Sequence, residues 1–105
     1  MAQFDVFKNP SSTTCKHYPY LVDIQSQYLE ELATRIVIPL GKASLFKNTA
    51  MKGLTPEVFF NDEKLLLLTP QISSISKKQL KESVGSISHL RTELANALDF
   101  AIFGI

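Results

Sequence analysis

Apolar residues recur at spacings of three and four in the last part of this sequence, the period of one helical face. Ser86 or Ser88 comes just before the pattern, and either side chain could cap a helix there. The apolar positions are Leu90, Leu94, Ala97, Leu98, Ala101, Ile102 and Ile105. The sequence therefore predicts a C-terminal α-helix that packs this face against a core.

Phe103 falls outside that apolar face. At a step of ~100° per residue it lies among Thr92, Asn96 and Asp99, on the polar side of the helix. Because burying a phenylalanine is worth roughly 1.5–3 kcal/mol, a ring at this position suggests cover by a second subunit or a foreign protein. The alternative is that the last turn frays after Phe100 and the ring folds back onto the protein. Gly104 fits both interpretations, since glycine is common just past a helix end.

The rest of the chain has the shorter periods and the β-branched and aromatic residues of strands. Tyr20, Val22 and Ile24 alternate with Leu21, Asp23 and Gln25, which predicts a strand with one buried face and one partly wet face. The predicted strands cover residues 3–8, 20–25, 35–40, 57–60 and 64–69. An all-strand body followed by one helix is the expected architecture.

Local signals refine three of these strands. Pro39 cannot donate to a ladder and therefore predicts a strand end or edge. The polar stretch 61–63 between two apolar runs predicts a hairpin, and the run Leu65–Leu68 suits a strand that is covered on both faces. Residues 41–55 look like a long connection or a minor sheet. Residues 76–86 are polar with Leu80 and Val84 as anchors, and the pattern is compatible with strand or loop.

Length and charge narrow the possible classes. The 105 residues are enough for one domain over residues 1–105. A net charge of +1, from 11 basic and 10 acidic residues, disfavours direct nucleic-acid binding by the chain alone, so a gel shift without a partner should be negative. The longest apolar runs are too short for a membrane span and the N-terminus lacks a signal-peptide pattern, which predicts a cytoplasmic protein without membrane contact. The single cysteine, Cys15, excludes an intrachain disulfide and fits a reducing compartment.

No catalytic or metal motif emerges from the spacing. His17 and His89 are far apart in the chain and neither has a second ligand nearby. The glycines form no phosphate-binding loop, and a nucleophile elbow is absent. We expect neither a metal nor a cofactor.

Three landmarks point to a known family: the segment 21–26, the segment 35–40 and the terminal Phe103-Gly104-Ile105. In their order and spacing the chain resembles the CcdB toxin family, and the resemblance spans essentially the whole sequence. It implies a mainly β fold, an SH3-like barrel with a main antiparallel sheet, a smaller sheet and one C-terminal α-helix. It also implies pairing into a symmetric homodimer.

The resemblance further implies a toxin of a type II toxin–antitoxin system. Such toxins bind the A subunit of DNA gyrase and trap the enzyme covalently joined to cleaved DNA, and they are not enzymes themselves. The poisoning role passes to Phe103, Gly104 and Ile105. Phe103 departs from the best-known family member, which has Trp there: phenylalanine keeps a ring that can lie over a cation but loses area and the indole donor.

A CcdA-like antitoxin is the second partner that the resemblance implies. It would wrap a disordered C-terminal segment around the toxin, release gyrase and help the toxin–antitoxin complex repress its own operon. The toxin would then contact DNA only through gyrase or the antitoxin complex. We expect the antitoxin to contact exposed apolar positions of the hairpin and of the 41–51 connection. These positions are Leu45, Phe46, Val58, Phe60, Leu65 and Leu68.

Two other classes stay open. A MazF-type endoribonuclease toxin has a similar fold, and Arg35 and Lys42 could then serve at a scissile phosphate. A structural or DNA-binding regulator is the third class, which the near-neutral charge disfavours.

Overall fold

The structure is a computed structural model that describes residues 2–46, 48, 51 and 53–104. Within these ranges the chain forms an antiparallel β-sheet and one α-helix, which confirms the predicted mainly β fold with a C-terminal helix. The elements are β1 (Asp5–Lys8), β2 (Tyr20–Asp23), β3 (Thr34–Lys42), β4 (Glu57–Phe60), β5 (Glu63–Leu67), β6 (Ser73–Ser76), β7 (Ser83–Ser86) and α1 (Arg91–Phe103).

The long strand β3 organises the sheet. On one edge it pairs with β2, and on the other edge its first half pairs with β6 and its second half with β5. The strand order is β4-β5-β3-β2-β1-β7, with β6 beside β3. The smaller sheet that the family resemblance implies is not separate among the described residues, because β5 joins the β4–β5 hairpin to the one seven-stranded sheet.

An aromatic side chain closes the curl of this sheet. Phe60 lies on β4 and Gly85 on β7, the two ends of the strand order. A Cβ atom on Gly85 would lie 2.6 Å from the Phe60 ring, so only glycine fits under it. Tyr20 packs edge-on against the same ring, with 5.0 Å between the centroids. The sheet thus forms a half-barrel whose two ends meet at Phe60.

The main core fills the inside of the half-barrel and is closed by α1 through Leu94. Its fully buried members include Val6, Val22, Ile38, Leu40, Val58, Leu65, Leu67 and Ile87. A second cluster of Phe7, Leu21, Val37 and Leu80 covers the opposite face. The central strands are therefore buried on both sides.

This second cluster corrects the prediction for β2. Leu21, Asp23 and Gln25 were expected on a partly wet face, but all three are buried. The cause is non-local: Leu80, from the segment after β6, covers Leu21. Alternation along a strand cannot reveal such cover.

Asp23 and Arg35 form an ion pair that is completely buried. Arg35 Nε donates to Asp23 Oδ2 at 2.8 Å, and the backbone N–H of Gln25 donates to Asp23 Oδ1. The Gln25 side chain donates to the Leu29 carbonyl and accepts from the Ile36 N–H. These contacts fix the loop that joins β2 to β3.

Pro39 lies inside β3, opposite Leu21 of β2, so the expectation of a strand end or edge is wrong. The Pro39 carbonyl accepts from the Leu68 N–H at 3.0 Å. Because the N and O atoms of a strand residue point to the same edge, the nitrogen of Pro39 faces the gap between β6 and β5. No ladder hydrogen bond is lost there.

The predicted hairpin is confirmed, with Asn61 and Asp62 at its turn and both at positive φ. The run Leu65–Leu68 is buried throughout, as expected, although β5 ends at Leu67. In the serine-rich stretch the structure has β6, a 3-10 turn over Lys77–Gln79, and β7. Leu80 is a buried anchor there, whereas Val84 is 38% exposed. After β3 the described part of residues 43–55 contains a 3-10 turn at Ala43–Leu45 and no further strand.

Candidate functional site

The helix α1 starts from a short turn rather than directly from a serine cap. Ser86 Oγ accepts from the Ser88 N–H at 3.2 Å, and a 3-10 turn over Ser88–Leu90 leads into the helix at Arg91. The Arg91 guanidinium lies 5.5 Å from the centroid of the Phe4 ring. These contacts attach the first turn of α1 to the sheet.

Only the first half of α1 packs on the core. Leu94 and Ala97 are buried, and Leu90 and Leu98 are partly buried against the main cluster. The predicted apolar face is therefore correct up to Leu98. Beyond it the prediction is wrong for Ala101 and Ile102, which are exposed because the helix runs past the part of the core that it covers. Ile105 lies outside the described residues.

Residues 100–104, called the helix tip below, form an exposed apolar end. The exposed fraction is 46% for Phe100, 59% for Ile102 and 70% for Phe103. The helix stays regular to Phe103, so the alternative of fraying after Phe100 is wrong. From Leu98 to Phe103 the axis advances about 8 Å. The prediction of an outward Phe103 is confirmed, and its apolar neighbours are exposed with it.

Gly104 ends the helix. It has φ 72° and ψ 24°, and its N–H donates to the Phe100 carbonyl at 3.0 Å. No heavy atom lies within 4 Å of where its Cβ would be. Glycine is favoured here by the left-handed backbone and not by lack of space.

The positions expected to contact an antitoxin do not form one surface. Val58, Leu65 and Leu68 are buried, so the expectation that they are exposed is wrong: the hairpin turns them inward. Phe60 is half-buried at the closure of the half-barrel, and Phe46 packs over Gly41 and against Tyr18. Leu45 is 53% exposed, as expected.

The exposed aromatic residue of the hairpin is Phe59, which the sequence reasoning missed. It is 70% exposed and is paired across the strands with Lys64. A groove of about 430 Å³ lies on the same hairpin and is lined by Lys42, Ala43, Ser44, Glu57, Glu63, Lys64 and Leu66. The period of two contains the missed signal, since an inward Val58 and Phe60 require an outward Phe59.

The residues considered for ribonuclease chemistry are not brought together. Arg35 is fully buried in its pair with Asp23. Lys42 lies seven positions further along β3, about 23 Å away in an extended strand. The two side chains cannot flank one phosphate. Among the residues that the structure describes, no group of three His, Cys, Asp or Glu side chains could hold a metal ion.

Among the described residues, no helix is both long enough and apolar enough to cross a bilayer.

Comparison with known proteins assigns the family. The family model described as CcdB protein matches residues 3–104, nearly the whole chain. The curled antiparallel sheet and the C-terminal helix agree with that family's fold. The chain therefore belongs to the CcdB protein family, a family of toxins from toxin–antitoxin systems.

Proposed function

We propose that this protein is a type II toxin that binds the A subunit of DNA gyrase in the cytoplasm and traps the complex of gyrase with cleaved DNA. The observation that carries the proposal is the helix tip, where Phe100, Ile102 and Phe103 are all exposed at the end of a helix that is otherwise anchored in the core. Exposed apolar residues grouped in this way mark an interaction site.

The helix tip is suited to this role because its backbone is ordered before binding. The Gly104 N–H bonds to the Phe100 carbonyl, so the tip residues need little further ordering when a partner covers them. The Phe103 ring offers its face to a cation on gyrase and its area to an apolar pocket. The toxin contributes contacts only, and bond breakage in DNA is left to gyrase.

A symmetric homodimer fits the target that we propose. A two-fold axis would present two helix tips on one assembly, which matches a gyrase that is itself built around a two-fold axis. The apolar side chains of Phe100 and Ile102 are exposed in the single chain and could contact a second copy, which would leave Phe103 as the ring that contacts gyrase.

We propose the β4–β5 hairpin as the antitoxin site, at Phe59 and the groove beside it. Phe59 and Leu45 offer exposed apolar area, and the groove adds charged side chains of both signs beside Leu66. A disordered antitoxin segment gains most from such a groove because it can follow its length. The hairpin and the helix tip belong to different elements. The antitoxin could therefore bind the toxin while the tip is still in contact with gyrase. The toxin–antitoxin complex could then repress its own operon.

Two matched variants test both surfaces. Phe103 and Phe59 are each 70% exposed, so replacing either by alanine removes a similar ring at little cost in stability. We expect Phe103→Ala to abolish gyrase-dependent DNA cleavage while antitoxin binding is kept. We expect Phe59→Ala to abolish antitoxin binding while gyrase-dependent DNA cleavage is kept.

Equal effects of the two variants on gyrase would contradict the role of the helix tip. If the intact protein left gyrase unaffected and instead cleaved RNA, the ribonuclease class would replace this proposal.

A further inference from the structure

Four lysines lie on or beside the segment between β6 and β7, a group called the lysine patch below. Lys77, Lys78 and Lys81 come from the segment between β6 and β7, and Lys8 ends β1. The pairing of Phe7 with Ser83 brings Lys8 beside that segment. Sequence distance hides this grouping, because β1 and the segment are separated by most of the chain.

Three clefts connect these lysines into one surface. Lys8 and Lys81 line one cleft, and Lys77 and Lys78 line another. Between them lies a cleft of about 450 Å³ that Lys78 and Lys81 share with Asn9, Pro10, Ser11, Ile75 and Gln79. Lys78 and Lys81 are each shared by two of these clefts, so the clefts are neighbours on the surface.

The segment that carries the patch is held firmly. Leu80 is buried in the second cluster, between the exposed Lys78 and Lys81. The Lys77 N–H donates to the Ala33 carbonyl at 2.9 Å, and Lys77 Nζ donates to the Glu30 carbonyl at 3.2 Å. The backbone bond and the buried Leu80 hold this segment on the sheet, and the second bond holds the Lys77 side chain.

The charge of the patch is not neutralised locally. Lys8, Lys78 and Lys81 form no ion pair with a carboxylate of the described residues. Glu82 is the one acidic residue that lines the three clefts. Four lysines and one glutamate give the patch +3, whereas the whole chain has +1, so the remaining surface is −2. A near-neutral protein therefore carries a concentrated positive face.

We propose that the lysine patch binds the phosphate backbone of duplex DNA. Regularly spaced phosphates attract grouped ammonium ions without regard to base sequence, and the hydroxyl of Ser11 and the amide of Gln79 can add hydrogen bonds. The inference goes beyond the proposed function, in which gyrase or the antitoxin complex brings DNA to the toxin. It also reverses the sequence-based prediction of a negative gel shift, because that prediction used the net charge of the whole chain and not its distribution. The patch would then hold that DNA directly.

Anisotropy of a labelled random-sequence duplex, titrated with the full chain from about 50 to 200 mM salt, tests the patch. The intact protein should bind at the low end with a steep salt dependence. Lys78→Glu and Lys81→Glu should each weaken binding about tenfold at low salt and lower the slope of log affinity against log salt by about one. Lys16→Glu is the control, because it makes the same change in charge at an exposed residue that lines none of these clefts.

Three results would overturn the proposal. The first is no binding of the duplex by the intact protein at low salt, and the second is an equal loss of binding from Lys16→Glu. The third is that the patch variants lose binding to polyglutamate, the acidic-peptide probe, but keep DNA binding. The last would assign the patch to an acidic peptide. Circular dichroism of each variant verifies the fold. Gyrase is absent from this assay, so its result is separable from the fate of the gyrase proposal.

Discussion

The pair formed by Asp23 and Arg35 is the residue-scale feature with the largest consequence for stability. Both side chains are fully buried, and Arg35 Nη1 has no hydrogen-bond partner among the described residues. A buried ion pair loses its solvation on folding, and only good pairing geometry compensates for that loss. Removing one partner therefore leaves an uncompensated buried charge. The exposed pair of Lys64 with Glu57 lacks this risk, since water solvates both groups.

Replacing Arg35 by methionine should destabilise the protein by about 3–5 kcal/mol, because Asp23 would stay buried without its partner. Urea unfolding monitored by circular dichroism measures the loss. Lys64→Met is the matched control and should cost at most about 1 kcal/mol. Similar losses for the two variants would contradict the importance that we give to burial.

Sequence reasoning at this scale succeeded for Phe103 and failed for Arg35. The wheel position of Phe103 depends on helix geometry alone, which is local. The burial of Arg35 depends on its ion pair with Asp23, which comes from another strand. Phe59 was missed although the alternation around Val58 and Phe60 contained the signal.

At the scale of elements, local signals were sufficient where the chain turns back on itself. The β4–β5 hairpin was predicted because its polar turn lies between two apolar runs. The strands β6 and β7 could not be predicted, since their serine-rich sequences become strands only by pairing with β3 and β1. The burial of the end of α1 was wrongly predicted for the same reason, because no local signal shows where the core beneath a helix ends.

The turn of the hairpin gives an element-scale prediction. Asn61 and Asp62 have φ of 50° and 62°, the left-handed conformations of a type I′ turn, in which Asn-Gly is the favoured pair. Asp62→Gly should therefore stabilise the protein by about 0.5–1 kcal/mol, because glycine adopts positive φ without strain. Thermal unfolding measures the change, and a lower midpoint would contradict the turn assignment.

At the scale of the whole molecule, three surfaces are separated by the fold. The helix tip lies at the end of α1, the apolar hairpin face at Phe59, and the lysine patch beside β1 and β7. Net charge averaged over the chain concealed the patch, whereas the outward Phe59 was indicated by the alternation of its strand and was overlooked. The family, the β-rich fold, the helix and its outward Phe103 could be predicted from the sequence, whereas the lysine patch and the groove beside Phe59 required the tertiary structure.

The central claim is that the end of α1 poisons gyrase. The most direct measurement compares gyrase-mediated DNA cleavage in the presence of intact protein and of a chain that lacks Phe103-Gly104-Ile105, after gel filtration has established that both have the same oligomeric state. We expect linear DNA covalently held by gyrase with the intact protein and none with the shortened one. Equal cleavage with both proteins would contradict it.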